Sequence, residues 1–472
     1  MSKLISSIKE AVELCGIKDG MTVSFHHHMR NGDKVLNMVM EVIAEKGIKN
    51  ITVNASSIFD CHEPLIGYMK DGVVTGIECG YMGAKVGRAV SRGMLKNPAV
   101  FRTHGGRASD MIKGTSHVDV AFVAAPSADC MGNCTGKYGK SACGSMGYAF
   151  ADAQTADKVV VITDNLRPYP LPGFSIPEVY VDYVVEVDEI GDPKGIVSGT
   201  TQITRDPVGL RIAQYAAEVI EASGLLKDGF SFQTGAGGAT LAAAKYVKEK
   251  MLAGGIKGSF GMGGITGYMV DMLNEGCFES LIDVQCFDLK AIDSINNDPR
   301  HMEVSAEQYA GVSGRSAAVD SLDVVLLGAT QVDTDFNVNV HTDSNGYIMG
   351  GSGGHSDTAA GAKLAIILAP LVRARLPLIT DRCHCISTPG STVDVVVTQR
   401  GIAVNTSIEK NRQLEEALKA KGLPVVDIKE LKAIGEKITG VPKPIKQGDK
   451  VIAKVLYRDG TLLDEIHQVA GE

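Results

Sequence analysis

The sequence predicts an α/β protein of two tandem domains with mostly parallel sheets, and three observations carry that prediction. Apolar, β-branched runs alternate with helical periodicity along the whole chain, the pattern of βαβ units. Segments of the first half recur 204 residues further on: HVDVAFVAAPSADCMGN at 117–133 is matched by SLDVVLLGATQVDTDFN at 321–337. The densest glycine cluster, GGIKGSFGMGGITG at 254–267, reads as a short strand running into a loop with Gly261, Gly263, Gly264 and Gly267, and it also has an echo, because GIKNITVNASS at 47–57 aligns with GIKGSFGMGG at 255–264. Gly, Thr, Asp and Pro gather at 196–210, so the seam is placed there, with one domain at 1–205 and the other at 206–472.

Taken in order, residues 6–15 form an amphipathic helix with Ile8, Val12 and Cys15 on one face. MTVSF at 21–25 is a strand that runs into HHHMRNGD, and a helix follows at 34–46. Such a junction places polar groups at the carboxyl edge of a parallel sheet, where α/β folds bind ligands. His26, His27, His28 and Arg30 are therefore candidate ligand contacts, and imidazole and guanidinium donors suit a polycarboxylate. Strands follow at 50–53 and 119–125. Between them THGGR, residues 103–107, is expected as a glycine-bearing loop, with Arg107 a second carboxylate contact. In the repeat, Asp119 and Asp323 precede apolar strands, Asp129 and Asp333 end them, and Asn133 and Asn337 close the turns. CGSMGYAFADAQTADKVVVI at 143–162 matches MGGSGGHSDTAAGAKLAIIL at 349–368.

The second half opens with a helix at 211–223. A strand and the GAGG segment at 235–238 follow, in the place that the histidines hold in the first half. A strand pair at 393–405, helices at 410–422 and 428–437, and a hairpin turning at Asp459–Gly460 complete the chain.

Composition narrows the function. The chain has 472 residues, 44% hydrophobic, with net charge −8 and no tryptophan, which argues against a nucleic-acid partner. The longest apolar run, 364–372, is core length and too short to span a membrane. The N-terminal residues lack the apolar stretch of a signal peptide, so a cytoplasmic location and reduced thiols are expected for the ten cysteines. Neither the Cys130/Cys134 spacing nor Cys383-His384-Cys385 fits a zinc motif, and no metal is expected.

FHHHMRNGD, THGGR, GAGGAT, GMGGITG, GSGGHSD and TPGSTVDVVVT, in this order over nearly the whole chain, resemble the α subunit of citrate lyase, a citrate CoA-transferase. The resemblance implies two CoA-transferase-like domains related to sugar-phosphate isomerases. It implies exchange of acetyl for citryl on the thiol of an acyl-carrier (γ) subunit or of CoA, with a separate β subunit cleaving the citryl thioester. It implies no permanently bound cofactor. Many members of the wider superfamily carry Ser-Glu-Asn-Gly where this chain has Ser259, Phe260, Gly261 and Met262. Phe260 cannot act as a nucleophile, so resemblance to the citrate lyase subgroup implies direct attack by a citrate carboxylate in a ternary complex, through a mixed anhydride.

Attack at a thioester carbonyl builds an oxyanion, which backbone N–H groups of bare glycines can hold. Three glycine segments are candidates. Gly261, Gly263 and Gly264 are placed at the chemistry. Gly235, Gly237, Gly238, Gly351, Gly353 and Gly354, with His355 and Asp357, are placed at the oxyanion or the carrier arm. Asp357 could equally be a helix N-cap. Three other readings stand: transfer to another carboxylate such as citramalate, a non-catalytic scaffold subunit, and a sugar-phosphate isomerase, for which no general base is singled out.

Overall fold

The computed structural model describes residues 2–197, 203–443 and 445–469. Part of the expected seam, 198–202, lies outside the described residues. Runs such as VAFVAA at Val120–Ala125, KVVVIT at Lys158–Thr163 and LAIIL at Leu364–Leu368 are apolar on both faces. They occupy the middle of parallel sheets that helices cover on both sides.

There are two main sheets. In the first, the strands run in the order Leu4–Ile5, Tyr183–Glu186, Lys158–Thr163, Val120–Ala125, Thr22–Phe25, Ile51–Ala55, Val74–Cys79 and Ala99–Phe101, all parallel. In the second they run Gly401–Val404, Val395–Thr398, Leu364–Leu368, Val324–Leu327, Ser231–Thr234, Gly258–Ile265, Phe278–Cys286 and His301–Glu303, parallel except for the first pair. Matched segments hold the same positions in the two sheets. Their turns match as well. Asp119 Oδ2 accepts the Thr22 N–H at 2.7 Å, as Asp323 Oδ2 accepts that of Ser231 at 2.9 Å. Asp129 accepts the Asn133 side-chain amide at 2.9 Å, as Asp333 accepts that of Asn337 at 3.1 Å.

The halves meet reciprocally. His104 N–H donates to Gly353 O at 2.8 Å, and Ala306 N–H donates to Gly147 O at 2.8 Å. His104 and Ala306 follow equivalent strands, and Gly147 and Gly353 are equivalent in the repeat, so the chain packs on itself like a two-fold dimer. In both sheets the chain leaves a central strand in one direction and later returns beside it in the other, at Thr22–Phe25/Val120–Ala125 and Ser231–Thr234/Val324–Leu327. Ligand crevices form at such switch points, outside the carboxyl ends of the strands.

Three expectations are corrected. The hairpin Gln447–Leu456/Leu462–Val469 turns near Gly460 as expected, but it does not stay with the second half. It extends the first sheet, where Ala453, Lys454 and Val455 pair with Ala99, Val100 and Phe101. The glycine cluster at 258–265 is a strand, with a bulge between Gly263 and Gly264. Its glycines are there for close packing: a Cβ on Gly261 would lie 2.5 Å from Met269 Cε, and one on Gly264 2.2 Å from the Phe287 ring. THGGR is the start of the helix His104–Lys113, where Thr103 Oγ1 accepts the Gly106 N–H at 2.8 Å as its N-cap.

Candidate active site

The first-half residues of the cleft come from the loops that leave Thr22–Phe25, Ile51–Ala55, Val74–Cys79 and Ala99–Phe101. His27 Nδ1 lies 2.7 Å from Ser56 Oγ, and the His27 carbonyl accepts the Gln285 side-chain amide of the other half at 3.0 Å. The His27 ring stacks 4.6 Å from Tyr148, and Tyr148 lies 4.4 Å from His104. His28 Nε2 accepts the Tyr148 N–H at 3.4 Å. His26 turns the other way, into the core, with Nδ1 3.8 Å from Asp152. The triplet therefore divides, with His27 and His28 in the aromatic stack and His26 behind it.

Arg30 takes an unusual conformation. Its φ is +51°, a left-handed value that is uncommon for any residue other than glycine. Asp33 anchors the segment: His62 Nε2 lies 3.0 Å from Asp33 Oδ2, and the Asp33 side chain also accepts the Leu36 N–H. The guanidinium is held between two aromatic rings, 5.4 Å from Phe59 of the first half and 5.0 Å from Phe287 of the second. Its Nη1 is buried without a hydrogen-bond partner among the described residues. Burial lowers its pKa, and the neighbours that oppose this are Tyr81 and Tyr148, neither of them a carboxylate.

Arg107 is not available in the same way. It donates to both oxygens of Asp152, at 2.6 and 2.8 Å, and to Asn54 Oδ1 at 2.7 Å. Burial pushes Asp152 up, but Arg107 holds its carboxyl below the usual range. The expected substrate contact is thus a buried internal ion pair.

The imidazoles at the cleft are neutral. Burial lowers His104 to about 3, aided by Arg107 one helical turn on. Burial also pushes His27 and His28 well below their usual value. Neutral rings can donate and accept hydrogen bonds without adding charge.

The second half brings Gln233, Phe287, Tyr309 and the glycine segments. Gln233 Nε2 lies 3.0 Å from Tyr309 Oη, and the bulge at Gly263, with φ +107°, passes beside Gln233. Gly353 faces the His104 ring and Gly354 the Tyr309 hydroxyl, with no room for a larger residue at Gly354. Gly351 packs on the carbonyl of Gly80. Gly235 and Gly237 precede the helix Gly238–Gly254, where Thr240 Oγ1 donates to the Gly235 and Gly237 carbonyls.

His355 and Asp357 are engaged elsewhere. His355 Nδ1 lies 2.7 Å from Thr388 Oγ1 and Nε2 2.9 Å from Gly328 O, so both ring nitrogens are taken. Asp357 does not cap its own helix, His355–Gly361. It accepts the Gly105 N–H of the other half at 3.0 Å.

Sequence reasoning missed Phe59, Tyr148, Gln233, Gln285, Phe287 and Tyr309, since isolated aromatics and amides carry no motif. Of the carboxylates beyond the glycine strand, Glu275 pairs with Lys248 and Glu279 with Lys257, both away from the cleft. Asp283, Cys286 and His301 form a buried hydrogen-bonded trio, with Asp283 Oδ2 3.0 Å from the Cys286 thiol and 2.9 Å from His301 Nε2.

Two duplicated α/β halves enclosing one cleft are the tandem CoA-transferase-type fold that the motifs imply, and the fold is shared with the α subunit of a malonate decarboxylase from Acinetobacter baumannii (TM-score 0.66, 16% identity, 93% of this chain and 95% of that one). The family model for citrate lyase, alpha subunit (CitF), matches residues 1–469. The citrate lyase alpha chain of Escherichia coli is 46% identical over 99% of this chain and 91% of its own. A crystal structure of the putative citrate lyase alpha subunit of Streptococcus mutans, in complex with citrate, superposes with a TM-score of 0.97 at 48% identity, covering 100% of this chain and 92% of that one. The chain belongs to the citrate lyase α-subunit family and is an enzyme of the transferase class. Among the described residues no helix is long and apolar enough to cross a membrane.

Proposed function

We propose that this chain is a citrate CoA-transferase, which exchanges acetyl for citryl on the thiol of an acyl-carrier subunit or of CoA. A citrate carboxylate attacks the acetyl thioester, and the thiolate leaves. The thiolate then attacks the citryl carbonyl of the mixed anhydride, and acetate leaves. In this reading no glutamyl thioester forms on the enzyme, the β and γ subunits of a citrate lyase complex are its partners, and the thiol is a co-substrate.

The observation that carries the reading is Arg30, a cation placed between Phe59 and Phe287 with a buried N–H that has no acceptor among the described residues. Burying such a group is costly unless an anion completes it. A carboxylate of citrate suits that N–H, with His27, His28 and His104 as uncharged partners for its hydroxyl and remaining oxygens. The backbone at Gly263–Gly264 and Gly353–Gly354 is the choice for the oxyanion, one donor being worth ~3 kcal/mol. The citrate bound to the Streptococcus mutans relative supports the same substrate.

The test mixes the chain with acetyl-CoA and a panel of carboxylates. Acetate release that requires citrate supports the assignment. Release with water alone, or equally with every dicarboxylate, contradicts it.

A further inference from the structure

Three separate parts of the chain converge behind His104. The His104 N–H is held by Gly353 O at 2.8 Å and the next N–H, that of Gly105, by Asp357 Oδ2 at 3.0 Å. Both acceptors belong to the second half, while His104 belongs to the first. The third part is the tip of the C-terminal hairpin. Arg458 Nη2 donates to Ala310 O at 3.2 Å, and its Nε lies 3.9 Å from Asp357 Oδ1. Those two atoms are both buried, and neither has a hydrogen-bond partner among the described residues. Glycine is needed at the crossing point, since a Cβ on Gly105 would lie 2.1 Å from Ala310 O.

We propose that Asp357 and Arg458 are a positioning pair for His104, setting the place of its ring across the interface and, through the Asp357 charge beside the first turn of its helix, its proton affinity. The pair rests on the reading of the cleft as the transfer site, but it touches no substrate. His104 is the group it serves: its ring lies 4.4 Å from that of Tyr148, tilted by 42°, and faces the bare backbone of Gly353. A carboxylate at a helix N-terminus offsets the positive end of the dipole, which otherwise lowers the proton affinity of an imidazole there. Burial pushes Asp357 up to about 6, and the Gly105 N–H, Thr103 and Arg458 oppose that rise. Around Asp357 stand Glu307 and Tyr309 of the helix Ala306–Ala310, Tyr148, and Tyr457 and Arg458 of the hairpin. Arg458 is the cation among them. Activity therefore falls on the acid side as Asp357 takes up a proton and its hold on the helix changes.

The test uses the full chain with Asp357→Asn, Arg458→Ala and Arg458→Lys, measuring kcat and citrate KM from pH 5 to 8 beside thermal melts. Asp357→Asn is expected to lower kcat about tenfold through misplacement of His104, with citrate KM within about twofold. The acid limb near pH 6 should vanish in this variant. Arg458→Ala should move that limb up by about one pH unit, as loss of a cation within 4 Å implies, and Arg458→Lys should restore it. If Asp357→Asn does not fold, the Arg458 pair decides the matter alone. A wild-type pH profile in Arg458→Ala, or in a folded Asp357→Asn, overturns the proposal. Arg30→Ala run in parallel separates the two readings: undiminished citrate turnover there sinks the cleft assignment, whereas a lost acid limb in Asp357→Asn still upholds the pair.

Discussion

Two arginines that look alike in sequence part ways in the folded chain. Arg30 and Arg107 each lie near a strand end, next to histidine or glycine, and each suits a carboxylate ligand. Arg107 is committed to Asp152, 45 residues away, and no local pattern announces that pairing. Arg30 has two aromatic rings and, among the described residues, no carboxylate partner. Arg30→Ala is predicted to leave the melting temperature nearly unchanged and to cost ~1.5–3 kcal/mol in kcat/KM for citrate, roughly ten- to a hundredfold, the worth of one charge-assisted bond. Arg107→Ala is predicted to do the reverse first. It strands Asp152 and should cost ~3–5 kcal/mol of stability, read as a lowered denaturant midpoint. Equal stability of the two variants would contradict this division of labour. Asp357 and His355 were legible as polar residues after a glycine run, but their partners, Gly105, Thr388 and Gly328, are all remote in sequence.

At the scale of elements, the strands and most helices follow from the pattern of the sequence. Val35–Glu45 buries Leu36, Val39, Met40 and Ile43 at helical spacing, and Val395–Thr398 pairs with Gly401–Val404 as the turn between them suggests. The failures share a cause. Glycine lowers the propensity of both strand and helix, so Gly258–Ile265 and the start of His104–Lys113 look like loops. In both places glycine is retained because another part of the fold occupies the side-chain position: Met269 and Phe287 in one, Ala310 in the other. Gly105→Ala should therefore push the halves apart. The prediction is ~1–3 kcal/mol of destabilisation with a fall in turnover. A stabilised variant, as helix propensity alone would give, would show that the contact with Ala310 O is unimportant. The C-terminal hairpin was legible as a hairpin but not in its location, because its pairing partners at Ala99–Phe101 lie 354 residues away in the sequence (453 against 99).

Across the whole molecule, the duplication was plain in the repeat, and the two sheets keep the same order over seven strands. The concentration of neutral histidines at and around the cleft has a consequence for stability. Burial holds His26, His27, His28, His104, His341 and His355 below their usual value of about 6.5, with His104 and His341 near 3 and His355 near 4. The unfolded chain takes up these protons first, so their contribution is present above pH 6.5 and is lost as the pH falls from there toward 3. Asp357, raised to about 6, acts in the opposite sense between its usual 3.8 and 6, and His62, which burial lowers but Asp33 raises to about 9, does so above 6.5, outside this interval. Melting temperature should drop steeply between pH 6.5 and 5. A flat profile over that interval would mean that the histidines are not buried neutral.

In the proposed reaction citrate and the acyl thioester occupy one cleft together and react without a bond to the enzyme. Phe260 carries no group able to attack a carbonyl, and Glu275 and Glu279 are paired with lysines outside the cleft. Initial rates of acetate release, measured over a grid of citrate and acetyl-CoA concentrations, test this most directly. Double-reciprocal lines that intersect are the predicted result, because both substrates must be bound before either reacts. Parallel lines, the mark of a covalent enzyme intermediate, would contradict it.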